Sequence, residues 1–211
     1  MLFLCLVDLI AGTGRTEFVF ANPRYWIFPL QTLVCGALVV AYWRHYELAA
    51  PKGVVFTVSI ALLVLAIWVS PQELFGFSHR YGDAKSFNPT IFPPCSPVYW
   101  GTLGFRFLRL AVVVPFVEEI FWRGFLLRYL IKEDFQSVAI GAFSWRSFGI
   151  VTLLFGFAHW GVDFIPALLT GALFNGIAIR TRSLSSCILA HAITNLLLGV
   201  YIMATRQWGF W

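Results

Sequence analysis

The stretch that most constrains this chain is Val114 to Arg128, VPFVEEIFWRGFLLR, where two adjacent carboxylates and an arginine interrupt an apolar run. Near the centre of a bilayer each such charge costs roughly 2.5–3.5 kcal/mol, so Glu118, Glu119 and Arg123 together carry about 7–10 kcal/mol before any pairing. A membrane helix tolerates that load only where the charges meet each other, a water-filled cavity or polar groups on neighbouring helices. The remainder of the sequence must supply those groups.

That the setting is a membrane follows from composition. Apolar residues make up 59% of the chain and charged residues 12%, against about 45–50% and 25% in soluble domains. Runs of about 20 apolar residues recur, the length of a helix crossing a bilayer. The short alternating segments of a membrane barrel are missing. The expected fold is all-α, a polytopic integral membrane helical bundle forming one compact domain.

The net charge of +5 does not point to nucleic acid. Its basic residues are scattered near the ends of apolar runs, as the positive-inside bias and snorkelling explain. An aromatic content of 18%, with nine Trp, suits interfacial belts and a packed helical core. Cys5, Cys35, Cys95 and Cys187 are far apart and form no CxxC, so neither a metal-ligand spacing nor a disulfide framework is expected.

Residues 1–10 are apolar, too short to span, and without the basic start of a signal peptide. They are followed by a polar, Gly-containing stretch read as loop. Convincing spans are Ile27 to Trp43, then Val54 to Val69 with Pro71 ending it. A Pro- and Gly-rich loop follows from Gln72 to Pro97, with His79, Arg80 and Lys85 inside it. A helix from Val98 runs into the opening stretch and is expected to kink at Pro115, which removes a helical hydrogen bond. Phe135 to Trp145 is weakly amphipathic and reads as interfacial. Further spans cover Ser147 to His159, Phe164 to Ile179 and Leu184 to Ala204, with Arg180, Thr181 and Arg182 as a tight basic loop. About six spans result, or seven to eight if the first ten residues or the Phe135 segment enter the bilayer. Residues 1–97 form an N-terminal membrane region, 98–204 a second membrane region that carries the opening stretch, and 205–211 a tail. Arg44, Lys52, Arg128, Lys132, Arg180 and Arg182 fall together on the side expected to be cytoplasmic.

Few polar residues lie within these spans. Arg106 and Arg109, near a helix start, read as snorkelling or structural, and Asn175, beside Gly176, as an interhelical hydrogen-bond donor. Glu119 and Arg123 are four apart and share a helix face, so they are expected to neutralise each other. Glu118 points about 100° away, which leaves it as the carboxylate able to face a cavity. His191 and Asn195 are four apart on the last span, and Phe155 and His159 repeat that spacing on an earlier one. A glutamate and a histidine can hold and deprotonate a water, and a second histidine with an amide can donate to an oxyanion. This is a kit for water attack on an amide carbonyl. Glu118, His159 and His191 could alternatively bind Zn²⁺, although HExxH is absent.

EEIFWR (Glu118 to Arg123), FGFAH (Phe155 to His159) and HAITN (His191 to Asn195) resemble the EExxxR, FxxxH and HxxxN motifs of the CAAX-protease and bacteriocin-processing (ABI) family, which includes the type II CAAX prenyl endopeptidases. The trio occurs in order on membrane helices and covers roughly Val98 to Ala204. The aromatic N-terminal half and Trp-rich tail resemble the bacterial CAAX prenyl protease-related branch found with exosortase-type sorting systems. The resemblance implies a metal-free, glutamate-type intramembrane endopeptidase in a bacterial cytoplasmic membrane, with no cofactor. Glu118 and His159 would activate water, His191 and Asn195 would stabilise the oxyanion, and Glu119 with Arg123 would orient the site. The implied partners are the bilayer and a membrane-associated protein or peptide substrate. The competing readings are a non-proteolytic member, acting as a scaffold or bacteriocin-immunity protein, and a transporter with an ion-coupling carboxylate.

Overall fold

The computed structural model describes residues 2–11, 18–76 and 87–211. Of the loop expected over 11–24, residues 12–17 lie outside the described residues, as does the central part of the Pro- and Gly-rich loop with His79, Arg80 and Lys85, whereas Phe18–Ala21 form a short helical turn rather than loop. Among those described the chain forms helices and turns and no strand.

The helices are α1 (Leu2–Ala11), α2 (Arg24–Ala41), α3 (Val54–Glu73), a continuous helical run α4 (97–129), α5 (Trp145–Ala158), α6 (Phe164–Thr181) and α7 (Leu184–Thr205). Four of them, α2, α3, α6 and α7, are long and apolar enough to cross a membrane. α4 is a composite of α- and π-helical segments. α1 has ten residues, about 15 Å of helix, and packs beside α2 through Val7 in a cluster with Ile27, Phe28 and Phe87. Serines start three of the site-bearing helices. Ser96, Ser144 and Ser183 accept from the backbone N–H of Tyr99, Ser147 and Ser186, which satisfies one of the orphan donors at each helix start.

Burial runs in the opposite sense to a soluble bundle. Val40, Val55 and Leu33 are exposed, as lipid-facing residues should be. The core where α3, α6 and α7 meet is built from Ala61, Ala178, Cys187 and Ala190 together with Phe174 and Ile177. Small residues at these crossings let the backbones approach without the hydrophobic drive that water would supply. Thr194 adds a hydrogen bond from α7 to the Ala61 carbonyl of α3, 3.1 Å away.

Two prolines are accommodated by local changes in hydrogen bonding, and one of them departs from expectation. Pro71 does not end its helix, which continues to Glu73. The carbonyl that Pro71 leaves without a donor, Ile67 O, accepts from the Ser70 hydroxyl at 3.3 Å. Pro115 is accommodated by a π-helical segment, Arg109–Val113, directly before it, and a second π segment spans Ile120–Leu126. The Phe135 segment is not an interfacial helix. It is a single 3₁₀ turn, Phe135–Ser137, tied down because Arg128 donates to Val138 O, Gln136 O and Gly124 O. Arg180 and Thr181 belong to α6, and only Arg182, with φ 51°, turns the chain.

The expected basic loops do gather at one end. Glu47 pairs with Arg128 at 2.7 Å. The Lys52 backbone and the Ser186 hydroxyl exchange hydrogen bonds, each 2.9 Å. At the same end Gly141 (φ +72°) lies so close to α6 that a Cβ would stand 2.0 Å from the Ala178 carbonyl oxygen. Gly141→Ala is therefore expected to destabilise the protein by about 1–3 kcal/mol. Thermal unfolding in detergent checks this, with Gly149→Ala, whose Cβ meets nothing within 4 Å, as a control that leaves the midpoint unchanged or slightly raised.

Candidate active site

Two charges of the opening stretch, Glu119 and Arg123, are resolved by one buried polar cluster joining α4, α6 and α7. Arg123 and Glu119 are both 0% exposed. Arg123 Nη1 donates to Glu119 Oε1 at 3.0 Å, Nε to Asn175 Oδ1 at 3.1 Å and Nη2 to the Gly171 carbonyl at 3.1 Å. The rings of Phe155 and Phe174 cover the guanidinium, 5.0 and 5.5 Å from its carbon. Asn175 in turn donates to Thr152 Oγ1 at 3.2 Å and Phe148 O at 3.4 Å, the interhelical role read from its sequence position. Gly171 makes a tight approach here, since a Cβ would stand 3.2 Å from Phe155. Its small size lets α5 close over the pair.

His191 joins the same cluster. Its Nδ1 lies 2.8 Å from Glu119 Oε1, so a single carboxylate oxygen serves both the arginine and the histidine. Beside an ionised carboxylate Nδ1 carries the proton and donates. The Nε2 edge is left for other work.

Above this cluster a cavity of about 690 Å³ opens between the helices, lined by Glu118, His159, His191 and Asn195 among others. That volume lies within the range of small-ligand pockets. Glu118 is half-buried on the cavity side, whereas Glu119, one residue on, is sealed beneath. His159 follows the last residue of α5. α5 has 14 residues, about 21 Å of helix. The His159 Nδ1 donates to Phe155 O at 2.9 Å, satisfying an orphan carbonyl at the helix end. Nε2 then carries the lone pair.

Asn195 is fixed by an interaction that begins with a proline. In the π segment the Val114 N–H reaches back five residues to Arg109 O. The next bond of that ladder would join Pro115 to Leu110, but proline has no N–H. Asn195 Nδ2 fills the gap, donating to Leu110 O at 2.9 Å. One amide hydrogen is spent on the backbone and the other remains.

The cavity also has walls that the motifs do not mark. Gln31, Thr32 and Cys35 come from α2, and Trp68 from α3. Trp68 donates to Thr170 Oγ1 at 2.9 Å and packs edge-on to His159, 6.0 Å between centroids. Gln31 went unnoticed in the sequence, where its one signal is that it is a lone amide within an apolar span. Arg106 and Arg109 do not snorkel. Arg106 is buried among aromatic rings, and Arg109 lines the cavity and donates to Gln31 Oε1 at 3.1 Å. Among the described residues no three His, Cys, Asp or Glu side chains are grouped closely enough to hold a metal ion. The alternative zinc set of Glu118, His159 and His191 is thus spread around the cavity rather than gathered.

A family model described as type II CAAX prenyl endopeptidase Rce1-like matches residues 100–197. No curated protein and no solved structure matches the chain. The matched segment contains Glu118, His159, His191 and Asn195 on the cavity wall and the buried pair Glu119 and Arg123.

The cluster and the cavity separate stability from exposure. Arg123→Met leaves Glu119 buried with one partner fewer and is expected to cost about 3–5 kcal/mol. Glu118→Gln, on the cavity wall, is expected to change stability by less than about 1 kcal/mol. Equal losses in thermal unfolding of the two purified variants would count against this division.

Proposed function

We propose that the chain, which matches the type II CAAX prenyl endopeptidase Rce1-like family model over residues 100–197, is a member of that family of membrane endopeptidases and an active intramembrane peptidase of the glutamate type. The observation that carries the reading is the joint presence of Glu118, His159, His191 and Asn195, from three helices, around one cavity. The buried Glu119–Arg123 pair lies directly beneath them.

In this reading Glu118 and the His159 Nε2 hold a water and take its proton as the oxygen attacks the substrate carbonyl carbon. The C–O bond forms and the carbonyl oxygen becomes an oxyanion. It is met by the remaining amide hydrogen of Asn195 and by His191 Nε2–H, which is available when the ring is protonated against Glu119. Collapse breaks the C–N bond, and Glu118 returns the proton to the departing amine. Glu119 and Arg123 touch no reacting atom. They are positioning residues that fix the ring plane of His191.

The substrate is a membrane-associated protein or peptide reaching the cavity from the bilayer. The reaction uses no metal or other cofactor. The end bearing Arg128 and Arg182 faces the cytoplasm, by the positive-inside bias, with the protein in a bacterial cytoplasmic membrane. The narrower likeness to the exosortase-associated branch rests on the aromatic N-terminal half and the Trp-rich tail.

Purified protein and variants, incubated with membrane-anchored peptides and read by mass spectrometry, test the proposal. Glu118→Gln and His159→Ala are expected to lower turnover by about 10²–10⁴-fold, and Asn195→Ala by about 10²–10³-fold. Chelators are expected to leave the wild type unchanged. Wild-type turnover by Glu118→Gln would refute the mechanism, and a folded wild type inert towards every peptide would favour a scaffold or immunity role.

A further inference from the structure

The peptidase chemistry makes no use of the Trp-rich tail, yet the tail is firmly packed. α7 ends at Arg206, whose φ of 58° turns the chain back over the bundle. The tail then forms a single 3₁₀ turn, Trp208–Phe210, with Trp208 buried. It is anchored on both sides of that turn. Before it, Gln207 Nε2 donates to Glu73 Oε1 and to the Tyr201 hydroxyl, each at 2.9 Å, and the Tyr201 hydroxyl donates to the same glutamate. After it, Trp211 packs edge-on to Phe87 and Phe107, with 5.8 and 6.1 Å between centroids. The buried Arg106 guanidinium stands 5.5 Å from a Trp211 ring, a cation against an aromatic face. The first anchor ties the tail to α3 and α7, the second to α4.

Where the turn sits follows from the extent of the cavity. Each lining residue contributed by a membrane helix stands at least six residues inside the helix end nearest Arg128, about 9 Å of helix. The intervening layer holds Ile140, Leu184 and Ile188, packed with Phe116 and Ile120. At the other end the lining runs past the helix ends to Asp163 and Phe210. The cavity is therefore closed towards Arg128 and reaches the opposite end of the bundle, where Phe210 enters its wall from the tail. The three helices that hold the anchors also supply wall residues, Trp68 from α3, Arg109 from α4 and Leu198 from α7. The turn thus crosses between the walls.

We propose that residues 206–211 form a strap across this mouth and that Phe210 is a specificity-determining residue, its ring limiting the girth of what enters the cavity from that end. An extended peptide with small side chains passes beside the ring, and a bulky group meets it. The Tyr201 ring, 5.8 Å away and perpendicular, holds Phe210 in place. Arg106, which touches no reacting group, acts here through Trp211 as an anchor of the strap. In naming a peptide as the occupant the proposal rests on the peptidase reading, whereas the obstruction itself applies to any occupant.

Cys35 lines the same cavity and reports entry without any cleavage. The full chain in nanodiscs is treated with two anionic methanethiosulfonates, one carrying a sulfonatoethyl group and the other fluorescein. Modification of each cysteine is timed by tandem mass spectrometry, with exposed Cys95 as the reference for each reagent. Phe210→Ala is expected to raise the Cys35-to-Cys95 rate ratio about tenfold for the fluorescein reagent and less than about threefold for the small one, the scale of losing one aromatic pair. Gln207→Ala, which removes the anchor to Glu73, is expected to shift the ratio in the same direction. Phe75→Ala, an exposed ring outside the lining, is expected to change neither ratio. A fluorescein ratio unchanged in both Phe210→Ala and Gln207→Ala overturns the proposal, since entry then follows another route. So does an equal rise for the two reagents, or a rise accompanied by modification of buried Cys187, the mark of a loosened bundle. A protein that shows the expected ratios but cleaves no peptide contradicts the peptidase reading alone.

Discussion

Everything around the site depends on one carboxylate oxygen. Glu119 Oε1 accepts from Arg123 at 3.0 Å and from His191 at 2.8 Å, inside a helix bundle whose outer surface is apolar. An unpaired charge in this position would cost several kcal/mol, so the surrounding sequence is arranged to prevent it. Gly171 gives up its side chain to let a carbonyl and a ring approach, Asn175 occupies the guanidinium Nε, and Phe155 and Phe174 cover its faces. The cluster links α4, α6 and α7, and through Thr152 it also holds α5. Its consequence for function is the division of labour between adjacent glutamates. Glu119 is consumed by structure, and Glu118 is left on the cavity wall.

The second determinant is the irregularity of α4. A regular helix would leave the Pro115 defect within its own hydrogen-bond ladder. The π segment moves the unpaired carbonyl to Leu110, and Asn195 crosses from α7 to meet it. π turns of this kind recur at functional sites. Here the link is specific, because a backbone defect in one helix orients a cavity-facing amide in another. The same contact also helps hold α4 against α7, so the proline contributes to packing as well as to the site.

Much of this was legible from spacing. A separation of four residues identified the Glu119–Arg123 pair, and the 100° step between neighbours separated Glu118 from it. The three motifs lay in order on apolar segments, which showed that their residues belong to a common membrane region. What the sequence could not reveal were contacts without local periodicity. Nothing in the spacing of His191 and Asn195 indicates that one would bond Glu119 and the other Leu110, 72 and 85 positions away. Pro71 and the Phe135 segment were misread because local propensity was judged without the Ser70 hydroxyl and the Arg128 guanidinium that decide them. For Arg106 and Arg109 the sequence left snorkelling and a structural role open, and the burial of Arg106 and the Gln31 contact of Arg109 match the structural one. Here aromatic residues distant in sequence enclose the first, and Gln31 holds the second.

The central claim is that pairing buries Glu119 and leaves Glu118 facing an accessible cavity. Carboxyl labelling tests it most directly. The purified protein would be treated in membranes with the apolar reagent dicyclohexylcarbodiimide, digested, and sequenced by tandem mass spectrometry to separate the two adjacent sites. The account expects modification at Glu118 with Glu119 unmodified, and Glu119 becoming reactive only when Arg123 is replaced. Modification of Glu119 in the wild-type protein, with Glu118 protected, would contradict it.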